Sequence, residues 1–174
     1  MFFLQMSGFP GSGKSTLAKE IAKECKAVIV DHDIVKSALL ESMAKHDLDV
    51  SASGNIGYSI DWSLVDFYLS QGFPVILDSP CLYSEMIEKG QALSKQHNVA
   101  YKYVECIARD IQVVNKRLKE RKQMISQIAA VSSEEGFYHT VENSAKPHDS
   151  SIFQVNTLQP LEECIAGIIR YVKG

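Results

Sequence analysis

Five short apolar runs punctuate the chain, each followed by a longer segment whose apolar positions recur every three or four residues: FFLQM (2–6), AVIV (27–30), PVILD (74–78), YKYVECI (101–107) and IFQVN (152–156). Runs of this length, rich in β-branched and aromatic side chains, predict strands, and their alternation with helical segments predicts a parallel sheet with crossover helices. AVIV and PVIL are continuously apolar, as strands covered on both faces are. The fold class that follows is α/β, a five-stranded parallel sheet between layers of helices. Leu17, Ala18, Ile21 and Ala22 share one helix face, Trp62, Val65 and Leu69 another before the Gly72-Phe73-Pro74 break, and Leu161, Ile165, Ile168 and Val172 a third. These stripes are expected to be core. The stretch 122–150 departs from the pattern: polar, Ser-rich and weakly periodic, it predicts a mobile excursion from the domain.

Composition narrows the picture without changing it. At 174 residues, 45% hydrophobic and 22% charged, the chain suits one globular domain spanning 1–174. A net charge of -3 and the lack of any long Lys/Arg run disfavour nucleic acid as a partner. The four cysteines, Cys25, Cys81, Cys106 and Cys164, show no zinc spacing and read as reduced thiols in or near a core. The apolar start MFFLQM is only six residues long, too short for a signal peptide or a membrane span, so a cytoplasmic location and no membrane partner are expected.

The candidate chemistry begins where the first run ends. Gly8-Phe9-Pro10-Gly11-Ser12-Gly13-Lys14-Ser15 fits G-x-x-x-x-G-K-[ST], between a predicted strand and a predicted helix. Glycines let such a loop turn its N–H groups inward, and the helix start adds unpaired N–H groups and a positive dipole end, so a phosphate-sized anion belongs there. ATP is the expected ligand: Lys14 would reach the β- and γ-phosphates, Ser15 would ligate Mg²⁺, and Thr16 would touch an α-phosphate oxygen. The spacing is not G-x-G-x-x-G, which disfavours a dinucleotide. Asn115-Lys116 continues into Arg-Leu rather than a base-reading N-K-x-D, so guanine selectivity has no support.

PVILDSP ends in Asp78-Ser79. Asp78 can hold the Mg²⁺ shell, and no acid beside it would activate water, which favours transfer to a bound acceptor over hydrolysis; the competing reading is a carboxylate capping the next turn. Asp31-His32-Asp33 follows the second strand at the carboxyl edge of the sheet, where open α/β sheets bind ligands. Asp33 is the candidate general base toward a substrate hydroxyl, although Asp31 or Asp33 could instead N-cap the next helix. His32 reads as a bystander, and His46, His97, His139 and His148 show no ligand spacing. Arg117 and Arg121, four apart, would project from one helix face toward the triphosphate just before the 122–150 excursion, where a lid would hinge. The alternative is a solvated basic face paired with Glu120.

Together, GFPGSGKST, VIVDHDIVKS, GFPVILDSP and ECIARDIQVVNKRLKER resemble the small P-loop kinases, specifically the zeta-toxin, chloramphenicol-phosphotransferase and polynucleotide-kinase-like group. The resemblance covers most of the chain. It implies a P-loop NTPase fold with strand order 2-3-1-4-5 and a lid, with Asp33 as the general base. Adenylate-kinase relatives imply adenine stacking for Arg117 and phosphate contact for Arg121. Gly8, Pro10, Gly11, Ser12, Gly13, Lys14, Ser15 and Thr16 would then cradle ATP, Ser15 and Asp78 would serve Mg²⁺, and Lys14, Asp33 and Arg121 would carry the transfer.

The chain departs from these relatives in two places. Val35 and Lys36 stand where polynucleotide kinases carry an arginine, and no arginine occurs between 122 and 148, unlike the lids of nucleoside monophosphate kinases. A small hydroxylated acceptor is favoured, with SASGNIGYSIDWS (51–63) lining its pocket through Tyr58, Asp61 and Trp62, or with Trp62 as plain core. The expected activity is phosphoryl transfer from ATP to that acceptor by a monomer or homodimer. The competing readings are a nucleotide-binding regulatory or toxin-like module and an NTP hydrolase.

Overall fold

Every residue of β1 (Phe2–Ser7) is buried, because this strand lies at the centre of the sheet. In the computed structural model, which describes residues 1–148 and 152–174, β2 (Val28–Asp31), β3 (Val75–Asp78), β4 (Ala100–Ile107) and β5 (Ile152–Asn156) surround it. The order is β2-β3-β1-β4-β5 and every pairing is parallel. This is the five-stranded topology and order expected from the sequence. The crossovers are helical: α1 (Lys14–Cys25), α2 (His32–Lys45), α3 (Ser53–Ser70), α4 (Ser84–Gln96), α5 (Ile111–Glu120), α6 (Glu134–Asn143) and α7 (Leu161–Lys173).

The pleat of β1 divides the core. Phe2, Leu4 and Met6 meet Leu17 and Ile21 of α1 and Ile168 and Val172 of α7 on one face. Phe3 meets Val65 and Leu69 of α3 and Leu93 of α4 on the other. Trp62 belongs to this second layer, half-buried and edge-on to Phe3 at 6.2 Å between ring centroids. Cys81, Cys106 and Cys164 are buried thiols and Cys25 is half-buried.

Two expectations are corrected. Leu161 is not core: it stands at the first position of α7 with 39% of its surface exposed, and Cys164, nearly one turn on, is the first residue of that helix to be buried. The 122–150 stretch contains α6, which its weak periodicity did not predict. Ser133 caps that helix by accepting from the Gly136 N–H, and Phe137, 1% exposed, packs edge-on to Phe9 at 4.8 Å. Asp149 and Ser150, the end of that stretch, lie outside the described residues. Among the described residues no helix is long and apolar enough to cross a membrane.

Candidate active site

The loop between β1 and α1 takes its shape from three glycines. Gly8, Gly11 and Gly13 have φ of 135°, 84° and 93°, angles that side-chain-bearing residues rarely adopt. Space adds a second constraint. A Cβ on Gly8 would collide with the Cys106 carbonyl and lie 2.7 Å from Ser12 Oγ, and one on Gly11 would lie 3.1 Å from Val114 and Leu118 of α5. The loop is thereby pressed between the end of β4 and α5.

Helix α1 begins at Lys14 with Gly13 as its cap and no side-chain hydrogen bond closing its end. Its first N–H groups and positive dipole end therefore face the loop's concavity. Lys14 is 8% exposed, and its Nζ donates to the carbonyls of Gly8 at 2.8 Å and Phe9 at 3.2 Å. Burial pushes its pKa below the ordinary lysine value, with Asp78 and then Cys106 and Asp33 pulling the other way. Ser12 Oγ is buried with no hydrogen-bond partner among the described residues.

Parallel pairing of β2 with β3 places Asp31 and Asp78 at matched positions on the sheet's carboxyl edge. Burial raises the pKa of Asp78, while Lys14 and a hydrogen bond from Ser15 oppose the rise. Asp31 proves to be the N-cap of α2: its Oδ1 accepts from the N–H of Asp33 at 2.9 Å and of Ile34 at 3.3 Å. Burial first, and the charge of Asp78 second, push its pKa up to about 6. Because the folded pKa exceeds the unfolded one, the folded chain retains a proton that the unfolded chain releases, so stability falls as pH rises from about 4 to about 6. Asn caps as well as Asp and carries no charge. Asp31→Asn is therefore expected to stabilise the nucleotide-free protein at pH 7 by on the order of 1 kcal/mol, with the gap to wild type closing near pH 4. Thermal melts at the two pH values measure this, and equal stability at pH 7 would refute it.

With Asp31 acting as the cap, Asp33 is left to the cavity. Its Oδ2 accepts from Gln127 Nε2 at 2.7 Å, and its carbonyl accepts from Ser126 Oγ at 3.2 Å. Ser126 also shares a 2.8 Å hydrogen bond with Ser37 Oγ of α2. The segment after α5 thus crosses over the start of α2. Nothing in the sequence around Ser126 and Gln127 marks them for this contact.

The arginines do not share a helix face as the spacing predicts. Arg117 is in the last turn of α5, but Arg121 lies just past its end with extended backbone, φ -74° and ψ 150°. They consequently diverge. Arg117 donates to Thr157 Oγ1 at 3.2 Å and to its carbonyl at 2.7 Å, beside Gly13. Arg121 donates to the Ile128 carbonyl at 2.8 Å, and its Nε is buried without a partner among the described residues. Burial lowers its pKa and the charge of Asp33 opposes that shift.

Lys14, the acidic edge and both arginines border one cavity of about 1000 Å³. Pro10, Gly11, Gly13, Lys14, Ser15, Thr16, Arg117 and Arg121 line it at the loop end, and Asp31, His32, Asp33, Tyr58 and Tyr83 line it beyond. Gly8 and Ser12 lie behind the loop. His32, read from the sequence as a bystander, is 5% exposed, with its Nδ1 2.6 Å from Asp61 Oδ2 and its ring stacked on Tyr58 at 3.9 Å. Asp61 comes from 29 residues along the chain, a separation that gives no sequence signal.

The fold recurs in solved structures of low sequence identity. A protein assigned as a kinase from Chloroflexus aurantiacus j-10-fl superposes with TM-score 0.73 at 18% identity, covering 98% of this chain and 93% of its own. A sugar kinase from Janibacter sp. HTCC2649 gives TM-score 0.68 at 16% identity, with coverage of 99% and 94%. The APS kinase of Mycobacterium tuberculosis, solved with AMPPNP and APS, gives TM-score 0.68 at 14% identity, with coverage of 99% and 97%. No curated protein matches the chain. The AAA domain family matches residues 4–134. That span runs from β1 through the phosphate-binding loop, the acidic edge and both arginines into α6, and it shows that the chain belongs to the AAA domain family.

Proposed function

We propose that the chain is an ATP-dependent kinase that moves the γ-phosphoryl group to a hydroxyl of a small-molecule acceptor. The finer kinship is with the zeta-toxin, chloramphenicol-phosphotransferase and polynucleotide-kinase-like group. One observation carries the reading: a loop and helix start built for phosphate share a cavity with Asp33, and the charge of Asp33 acts on both Lys14 and Arg121. A carboxylate so placed lies on the side of the cavity where an acceptor must enter to meet the γ-phosphate. The kinases among the structural relatives, the APS kinase with AMPPNP included, support nucleotide-dependent phosphoryl transfer as the general chemistry.

In this mechanism the loop amides and Lys14 hold the β- and γ-phosphates, and Arg121 neutralises charge that spreads over the transferring oxygens. Arg117, beside Gly13 and Thr157, borders the adenine side. Asp33 orients the acceptor hydroxyl and takes its proton as the new P–O bond forms. Segment 122–148 acts as the lid, and Gln127 keeps the Asp33 carboxylate in place. Ser15 and Asp78 fit Mg²⁺: a hydroxyl and a carboxylate, near enough for Ser15 to oppose the rise in the Asp78 pKa, would offer two hard oxygens. When bound, the ion would neutralise phosphate charge.

Calorimetry with MgATP, followed by an ADP-release screen over hydroxylated metabolites, tests the proposal. The expected result is ATP binding with ADP release that depends on one class of acceptor. ADP release of equal rate without any acceptor would identify an NTP hydrolase, and tight binding without turnover would identify a regulatory module.

A further inference from the structure

The His32–Asp61 pair is absorbed by neither the phosphate grip nor the proton transfer, yet His32 lines the cavity and the Asp61 carboxylate bonded to it is fully buried. Asp61 is wholly buried, His32 is its one hydrogen-bonding partner among the described residues, and its Oδ1 has none. Burying a carboxylate this way is expensive unless the geometry is put to use. The surroundings fix the imidazole from every side. Tyr58 lies parallel to the ring, with 9° between the planes. Gly57 of α3 lies beside the ring, where a Cβ would make ordinary contact with Cε1 at 3.4 Å. Asp61 accepts from Nδ1–H, which in the neutral ring leaves the Nε2 lone pair as the acceptor. No hydrogen bond among the described residues uses Nε2, and His32 lines the same cavity as Asp33, the next residue.

Two consecutive acceptors, the Asp33 carboxylate and His32 Nε2, thus border the space where the acceptor must lie. A ligand that satisfies both has two neighbouring donors. The adjoining lining is less polar: Tyr58, stacked on the imidazole, with Leu82 and Tyr83, and the phenol of Tyr58 is kept neutral because burial pushes its pKa well up. A molecule with hydroxyls along one edge and C–H groups on its face matches that wall.

We infer that His32, held by Asp61, is an acceptor-recognition residue that takes a hydrogen bond from the hydroxyl next to the one phosphorylated, so that the acceptor is a neutral polyol of the sugar class. This rests on the kinase reading above. It deepens it, because Asp33 handles the reacting hydroxyl and His32 measures its neighbour.

The test uses the full chain, Mg²⁺ and γ-labelled ATP with a panel of free pentoses, hexoses, inositols and glycerol, their monodeoxy analogues, simple monoalcohols and nucleosides. Wild type is expected to label at least one polyol, and the analogue lacking the adjacent hydroxyl is expected to show a KM at least tenfold higher. His32→Phe keeps the stack on Tyr58 without the nitrogen. It is expected to raise the polyol KM at least tenfold, with kcat within threefold and the ATP KM unchanged, and His32→Gln is expected to recover part of the loss. Asp61→Asn, nearly identical in shape, can donate to Nδ1 and turn Nε2 into a donor, so it is expected to raise the same KM with little change in melting temperature. Labelling of monoalcohols or nucleosides but no polyol overturns the inference and leaves the kinase reading standing. So does a set of variants that melt earlier with unchanged KM, which would make the pair a clamp between α2 and α3. Failure to bind ATP overturns both.

Discussion

Lys14→Ala is expected to lower ATP affinity at least about a hundredfold and to abolish turnover while the fold survives. The ammonium is nearly buried, donates to two carbonyls of its own loop and stands within the fields of Asp78 and Asp33. Its removal leaves Asp31, Asp33 and Asp78 facing an incoming tetra-anionic tail, with Arg117, Arg121, the loop amides and the remaining lysines of the lining to oppose the repulsion. Stability should change far less. Burying the ammonium carries a desolvation cost that its loss refunds, and the Gly8 and Phe9 carbonyls can turn to water in the open cavity. Calorimetry with MgATP measures the first effect and thermal denaturation the second. Wild-type affinity in a folded Lys14→Ala protein would remove the phosphate grip from the mechanism.

Asp33→Asn is expected to do the reverse: ATP affinity within about threefold of wild type, and phosphoryl transfer slower by about 10²- to 10⁴-fold with whichever acceptor the screen returns. The amide oxygen can still accept from Gln127 Nε2, so the contact of the 122–131 segment with the start of α2 is retained. What is lost is the ability to receive a proton. Because Asp31 caps α2 and Asp33 does not, the variant should melt close to wild type. Single-turnover transfer in quenched flow separates the chemical step from binding, and transfer at the wild-type rate would void the base assignment.

How much of this was legible in the sequence depended on whether a residue's neighbours along the chain decide its role. The strands were legible because both faces of the sheet are covered, which demands continuous apolar runs such as VIL at 75–77. The phosphate loop was legible because its glycines answer a local demand of the backbone. Helix α6 was not, because it is anchored through Phe137 on Phe9, more than a hundred residues away in the chain. The divergence of the arginines was hidden for a similar reason: NKRLKERK reads as uninterrupted helix, and α5 stops at Glu120 where the chain turns toward Ile128 and the start of α2. The choice between Asp31 and Asp33 needed the actual end of β2. His32 was passed over because its partner arrives from another helix.

On the proposed reading the groups that grip phosphate come from the β1–α1 loop, the start of α1, the end of β3 and the end of α5, whereas those that would judge the acceptor come from α2 and α3, two helices packed chiefly on each other and on one edge of the sheet. Selectivity and energy supply are therefore separable inheritances. A hybrid in which the α2–α3 hairpin is grafted from a kinase of different taste should still consume ATP while marking a new target, which makes this scaffold an economical starting point for building phosphorylating catalysts to order.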